Sequence, residues 1–200
     1  MATRGIGDTV LNEIIDIRID GARLLATLEE MGRIGASAAG GCNRQALTDE
    51  DRRGRDRFVE WARAAHGAVR IDAIGNIHAR FAGRRAEAAP VLIGSHLDTQ
   101  ATGGRFDGVY GVLSGLEVVR TLADHGWVPE RPIEVVSWTN EEGCRFAPAM
   151  LGSGVAAGVF DLEYAYSRTD RDGRSLGEEL ERIGYRGSAP CRASEYAAAF

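Results

Sequence analysis

The sequence is poor in cysteine and lacks any long apolar run. Its three cysteines lie far apart and form no Cys-x-x-C pattern, which argues against a disulfide framework and a cysteine-rich structural zinc site. No uninterrupted apolar span is long enough to cross a bilayer. Residues 1–10 carry no apolar segment after a basic start, so no export signal is expected. These absences predict a protein of the reducing cytoplasm.

Runs of one charge are also missing. The formal net charge is −5, with acidic and basic residues interspersed, so no nucleic-acid partner and no anionic membrane surface is indicated. With 200 residues, of which 44% are hydrophobic, the chain can bury the core of one domain, or of one domain and part of another. The composition therefore predicts a soluble globular protein.

Apolar periodicity predicts alternating helices and strands. Helical spacing is found at residues 17–35, 48–67, 109–126 and 175–183. Short apolar or alternating runs typical of strands occupy residues 69–72, 77–81, 90–93 and 133–139. Asp20, Thr48 and Ser175 are candidate helix N-caps. Residues 195–200 are expected to begin a further element.

A first candidate site follows the apolar run 90–93. The predicted strand stops at Gly94, so His96 and Asp98 emerge at its end. Side chains two residues apart on an extended backbone point to the same side, which lets Asp98 orient the imidazole while the other ring nitrogen binds a metal. Asp107 comes after a glycine-rich turn that can return a second carboxylate toward His96. One such carboxylate can bridge two cations.

A second candidate site follows the run 133–139. Adjacent side chains on a regular strand face opposite ways, so Glu141 and Glu142 can serve one site only if the chain turns, and Gly143 is suited to that turn. One glutamate can then bind a metal while its neighbour acts as a general base. A lone His-x-Asp or Glu-Glu pair is usually structural or solvated, but their shared place after two apolar strands favours a metal site.

Two long motifs resemble a known family. The segments GSHLDTQATGGRFDGVYGVL (94–113) and PIEVVSWTNEEGCRFAPAMLGSG (132–154) resemble the amidase/hydantoinase/carbamoylase family of dinuclear metal hydrolases, whose members include N-carbamoyl-L-amino acid hydrolases, β-ureidopropionases and allantoate amidohydrolases. The similarity runs over nearly the whole chain. It implies an α/β, metallopeptidase-like catalytic domain with a mixed, largely parallel sheet and helices on both faces.

The resemblance also implies a role for each candidate residue. His96 would bind one metal, Asp107 would bridge both, and Glu142 would bind the second. Glu141 would be the general base, and Asp98 would be the carboxylate that orients His96. The implied cofactors are two divalent metal ions, zinc or manganese. The implied reaction is hydrolysis of an N-carbamoyl-L-amino acid to the amino acid, carbon dioxide and ammonia, with allantoate or another ureido compound as the alternative substrate.

Family members continue beyond the residues found here. They resemble one another in a His-Ile-Glu-Gln-like segment that completes the first metal site, then a lid and dimerisation domain, then a last histidine for the second metal. Residues 1–200 are therefore expected to form the N-terminal part of the catalytic domain, and the complete enzyme is expected to be a homodimer. Three ligands for two metals predict weak or absent metal binding and no turnover by this chain alone.

A hypothesis of another class remains open: a non-catalytic remnant, or half of a split enzyme completed by a C-terminal chain. Two single residues carry simpler expectations. His78 is expected to be exposed on the polar side of its strand, and Cys144 is expected to be a small buried filler.

Overall fold

A computed structural model describes residues 17–191, and the expectations for residues 1–10 and 195–200 lie outside that range. The described part is a four-stranded sheet with six α-helices. In chain order the elements are α1 (Gly21–Arg33), α2 (Asp49–Ala64), β1 (Ala68–Ile71), β2 (Ile77–Phe81), β3 (Val91–His96), α3 (Val109–Asp124), β4 (Ile133–Trp138), α4 (Leu151–Ala156), α5 (Leu162–Tyr166) and α6 (Leu176–Arg182). None of the helices within residues 17–191 has the length and apolarity to cross a membrane.

Three helices begin where their capping residues predict. The side chains of Asp20, Thr48 and Ser175 each accept a hydrogen bond from a backbone amide in the first turn of α1, α2 and α6. At α6, Glu178 returns the bond and completes a capping box. Amides in a first helical turn have no acceptor within the helix, so these side chains replace it. The three predicted N-caps are confirmed.

The sheet has the order β1–β2–β4–β3 and is mixed. β1 and β2 form an antiparallel hairpin, β2 and β4 are antiparallel, and β3 and β4 are parallel. The α/β class with a mixed sheet is confirmed, but among the described strands the parallel pairing is the minority. The physical reason is the short connection through Gly75, whose φ of 84° reverses the chain, whereas only β3 and β4 are joined by a crossover helix.

The apolar core lies on one face of the sheet. The strand register places Val69, Ala79, Val135 and Ile93 in one row. α2 packs against β1 and β2, and α3 packs against β3 and β4. Helix α3 approaches closely at Gly115, where a Cβ would lie 3.0 Å from Ile93 and 3.1 Å from Val135. α2 and α3 share this one core.

The opposite face carries a buried ionisable cluster around His78. Its Nδ1 lies 2.9 Å from Glu134 Oε1 and its Nε2 lies 3.3 Å from Asp72 Oδ2. Arg70 and Arg80 approach Glu134 at 3.3 and 3.6 Å. The expectation that His78 is exposed is wrong, because the side chain is fully buried. Carboxylates from two other segments contact both ring nitrogens, which makes burial of this polar group tolerable.

Arg55 forms a buried ion pair within α2 and joins that helix to the strand ends. Arg55 and Asp51 are 1% and 0% exposed, and Arg55 Nε lies 2.7 Å from Asp51 Oδ2. The other guanidinium nitrogens donate to the carbonyl of Gly75 at 2.8 Å and to the hydroxyl of Thr139 at 3.3 Å. The helix is therefore fixed to the β1–β2 connection and to the residue after β4.

Loss of this guanidinium should destabilise the fold strongly. We expect Arg55→Met to lower the free energy of unfolding in urea by about 3–5 kcal/mol, because it leaves Asp51 as a buried charge without its partner. The matched control is Arg57→Met on the exposed side of the same helix, where the expected change is about 1 kcal/mol or less. Equal stability of the two variants would contradict the prediction.

The His78 cluster should make stability depend on pH. Burial lowers the pKa of His78, but hydrogen bonds to Asp72 and Glu134 outweigh that effect and raise it. Its contribution is therefore fully present below about pH 6.5, the ordinary histidine pKa, and is lost as the pH rises through the higher folded value. We expect the free energy of unfolding to fall over this range in the wild type and less in His78→Gln. A core control, Val119→Ala, should keep the wild-type pH profile at lower stability.

Candidate metal centre

His96 is the last residue of β3 and is 8% exposed. Its Nδ1 is 2.8 Å from the backbone carbonyl of Asp98. A carbonyl only accepts hydrogen bonds, so Nδ1 is a donor, and in the neutral imidazole Nε2 then carries the lone pair. Nε2 lies 3.3 Å from Glu141 Oε2. The imidazole is thus held in the tautomer that leaves Nε2 able to bind a metal.

The Asp98 carboxylate has a different task from the one expected. Its Oδ1 is 3.9 Å from His96 Nδ1, beyond hydrogen-bonding distance. Instead Oδ1 accepts the backbone amide of Glu141 and Oδ2 accepts that of Glu142, each at 3.2 Å. The strand ends at His96, so the Asp98 carbonyl contacts the ring and the carboxylate is directed to the neighbouring strand end. Asp98 therefore orients the imidazole through its backbone and the glutamate pair through its side chain.

Burial controls the protonation of this carboxyl group. Asp98 is 1% exposed, and burial raises its pKa to about 6, with the charge of Asp51 acting in the same direction. The charge of His96 and the hydrogen bonds from the two glutamate amides lower the pKa and oppose this shift. Once ionised, the carboxylate accepts both amides in charge-assisted hydrogen bonds, which are stronger than neutral ones.

The two glutamates share one site because the chain turns on both sides of them. Asn140 has a φ of 52° and Gly143 a φ of 66°. The turn is closed by the amide of Met150, which donates to the carbonyl of Glu141 at 2.7 Å, and by Asn140 Nδ2, which donates to the carbonyl of Phe146 at 2.7 Å. The predicted turn at Gly143 is confirmed. Asn140 was not singled out, although asparagine is enriched among non-glycine residues with positive φ.

The Glu142 carboxylate has one oxygen bound and one without a partner. Gln100 Nε2 donates to Glu142 Oε2 at 3.0 Å. Glu142 Oε1 is buried and has no hydrogen-bond partner within residues 17–191. A buried carboxylate oxygen without a partner is unfavourable, and a divalent cation is a chemically suitable one. Gln100 lies within the first sequence motif, but its spacing from the other candidate residues does not predict this contact.

Asp107 lies beside the imidazole, just before α3. The next residue, Gly108, has a φ of 67°, and a Cβ there would overlap the His96 ring. Only glycine fits this approach. The Asp107 residue is exposed, so it is accessible to solvent just before the N-terminus of α3, where negative charge is favoured.

The donors fit a divalent cation, but the set is not closed. An imidazole nitrogen and the carboxylates of Glu141 and Glu142 lie at the ends of β3 and β4, which is the donor chemistry of zinc and manganese sites. Over residues 17–191, however, no three His, Cys, Asp or Glu side chains are arranged as a ready metal site. His96, Glu141, Glu142 and Asp98 are brought into one network, and Asp107 lies at its border.

Cys144 lies next to this network but is not a buried filler. The expectation that Cys144 is buried is wrong, since the residue is exposed. The reason is that the turn at Gly143 directs the following residue outward. Partial burial and the charges of Asp98 and Glu142 raise the pKa of its thiol. All three cysteines are free. A cavity of about 440 Å³ begins at Cys144, and its lining comprises Gln45, Thr48, Ala101, Cys144, Arg145, Asp170, Arg171 and Asp172.

Comparisons with known proteins agree with this picture. A model of Peptidase family M28 matches residues 76–171, the range that contains all five candidate site residues. The chain is 55% identical over 170 residues to the N-carbamoyl-L-amino-acid amidohydrolase of Rhizobium meliloti, a match that covers 85% of this chain and 41% of that protein. It is 35% identical over 137 residues to allantoate deiminase 1 of Glycine max, covering 68% of this chain and 28% of that protein.

A solved structure shares the fold. The chain matches a crystal structure of a hydantoinase/carbamoylase family amidase from Burkholderia ambifaria with a TM-score of 0.87 and 60% sequence identity, over 88% of this chain and 44% of that chain. The chain thus spans less than half the length of these relatives. The family resemblance seen in the two motifs is confirmed, and the chain belongs to the hydantoinase/carbamoylase family of amidases.

Proposed function

We propose that this chain forms the first part of the catalytic domain of a metal-dependent amidohydrolase that cleaves N-carbamoyl-L-amino acids at a linear C–N bond. The observation that carries the proposal is the meeting of the ends of β3 and β4, where Glu141 Oε2 lies 3.3 Å from His96 Nε2. The name of the Rhizobium meliloti relative, at 55% identity, supports the substrate class.

The proposed roles follow from the side-chain chemistry. His96 through Nε2, Glu142 through its unpartnered Oε1, and Asp107 would hold two divalent cations, zinc or manganese. When bound, the metals would supply Lewis-acid polarisation of the substrate carbonyl and a lowered pKa of the attacking water. Glu141 is proposed as the general base, because its carboxylate lies beside the ligand nitrogen and keeps partial access to solvent.

Asp98 is proposed to hold the base and the second ligand as one unit. Both glutamate amides donate to its carboxylate, so Glu141 cannot shift relative to Glu142 without breaking a buried charge-assisted hydrogen bond. Such restraint keeps the base at a fixed distance from the reacting atoms, and a misplacement of about 1 Å can lower the rate by about 10²-fold.

Residues outside this chain are proposed to complete the site. We propose that residues 1–200 are the N-terminal part of the catalytic domain, and that a lid and dimerisation domain and the remaining catalytic residues lie elsewhere in a homodimeric enzyme. The coverage of 41% of the Rhizobium meliloti relative and the open ligand set within residues 17–191 support this division. Three free thiols support a reducing, cytoplasmic location.

A ureido compound such as allantoate is the second candidate substrate. The observation in its favour is the 35% identity to an allantoate deiminase of Glycine max. N-carbamoyl amino acids and allantoate share a terminal ureido group, so the network described here would treat the cleaved bond alike.

A fusion protein tests the proposed reaction. Residues 1–200 joined to the part of the Rhizobium meliloti relative that follows its matched segment should release free amino acid from N-carbamoyl-L-amino acids, measured by chromatography. Glu141→Gln should lower kcat by about 10²–10⁴-fold, the usual contribution of a general base, at unchanged metal content. The matched control is Glu163→Gln on α5, which should keep full activity. Retained activity in Glu141→Gln would refute the assigned base.

The same fusion distinguishes the remaining alternatives. Allantoate hydrolysis in preference to carbamoyl amino acids would select the second substrate. A fusion that folds and binds metal but hydrolyses neither substrate would favour a non-catalytic remnant. Activity on mixing the two parts as separate chains would support a split enzyme.

Zinc binding tests the open ligand set. Residues 1–200 alone should bind zinc weakly or not at all in gel filtration followed by metal analysis, because three candidate ligands cannot supply about three protein ligands for each of two metals. The fusion should retain zinc, and His96→Asn should reduce that content. Tight, stoichiometric zinc in the isolated chain would contradict the prediction.

A further inference from the structure

Asn76 is a fully buried polar side chain in the connection between β1 and β2. Its Nδ2 donates to Asp72 Oδ2 at 2.9 Å and to the carbonyl of Gly152 at 3.1 Å. Its Oδ1 accepts the backbone amide of Thr139 at 2.9 Å. One carboxamide therefore links the β1–β2 connection, the residue after β4 and the start of α4.

The amide, hydroxyl and carbonyl of Thr139 each form a hydrogen bond. Its amide donates to Asn76, its hydroxyl accepts from Arg55 at 3.3 Å, and its carbonyl accepts the amide of Gly152 at 2.9 Å. Thr139 is the last residue before the turn that carries the glutamate pair, and it is fully buried. Its placement therefore decides where the turn begins.

The chemistry of this position selects asparagine. The site requires one acceptor toward Thr139 and two donors toward Asp72 and Gly152, which is what a carboxamide provides. An aspartate would lack both donors and would place a second carboxylate against Asp72. A Cβ on Gly152 would overlap Asn76 Oδ1, so the neighbouring glycine is part of the same arrangement.

We propose that Asn76 is a positioning residue for the glutamate pair. By fixing Thr139, it sets the start of the turn so that the amides of Glu141 and Glu142 both reach Asp98, and Glu141 remains 3.3 Å from His96. Asn76 touches no reacting atom. The catalytic consequence rests on the proposed function, whereas the consequence for the turn does not.

Hydrogen exchange on the 200-residue chain tests the effect on the turn. In Asn76→Asp, the amides of Glu141 and Glu142 should exchange at least about ten-fold faster than the loss of global stability explains, because a local opening then dominates their exchange. The matched control is Val119→Ala in the core, in which these amides should change only in proportion to global stability. The same proportional change in Asn76→Asp would overturn the proposal.

A second variant keeps the test decisive if Asn76→Asp fails to fold. Gly152→Ala places a Cβ against Asn76 Oδ1 and against the amide and carbonyl of Thr139, so it disturbs the same junction and should cause the same selective loss of protection at the two glutamate amides. Unchanged protection in Gly152→Ala would overturn the proposal.

Kinetics in the fusion protein test the catalytic consequence. Asn76→Asp should lower kcat by about 10–100-fold with little change in KM, as expected for a displaced base, while Val119→Ala should keep kcat below its unfolding temperature. Unchanged kcat in Asn76→Asp would overturn this part of the proposal. An inactive wild-type fusion would instead count against the proposed function, and the exchange result on the chain would still decide the role of Asn76.

Discussion

The Asp98 carboxylate accepts the backbone amides of Glu141 and Glu142, each at 3.2 Å, and so joins the end of β3 to the end of β4. Both acceptor atoms belong to one buried residue, and the two amides belong to adjacent residues, so the geometry leaves little freedom. The carbonyl of the same residue orients His96. His96, Glu141 and Glu142 are therefore all positioned by contacts with this one residue.

Two buried arginines form hydrogen bonds to the residues that follow β3 and β4. Arg44 is fully buried; its Nε donates to the carbonyl of Leu97 at 2.8 Å, and its backbone amide donates to the hydroxyl of Thr99 at 2.8 Å. The Arg55 guanidinium donates to the hydroxyl of Thr139, the residue after β4. Arginine suits this task because its donors have a fixed planar arrangement and its charge is permanent. Functional side chains at strand ends hold an accurate position only when the surrounding residues restrict their movement.

The network also concentrates negative charge. The carboxylates of Asp98, Glu141 and Glu142 belong to the network around His96, with Asp107 at its border, and like charges at short range oppose joint ionisation. Burial raises the pKa of Asp98, and the charge of Asp51 acts in the same direction. Divalent cations between these groups would relieve the repulsion and satisfy the unpartnered Glu142 oxygen. The electrostatics and the donor chemistry therefore point to the same kind of occupant.

The sequence by itself determined the local features. Capping residues marked the starts of α1, α2 and α6, apolar runs marked β3 and β4, and motifs at the strand ends identified the five candidate residues, because each of these signals depends on near neighbours in the chain. The two motifs also indicated the family, since two long segments with fixed spacing are specific for one family.

Only the tertiary structure decided which atoms meet. Asn76 and Thr139 are 63 residues apart, and Asp98 and Glu141 are 43 apart, so no periodicity or spacing pairs them. The burial of His78, the exposure of Cys144 and the side-chain role of Asp98 follow likewise from contacts between distant segments. The physical reason is that a polar group can be buried only where another segment supplies its hydrogen-bond partner, and that partner is fixed by the packing of the whole fold.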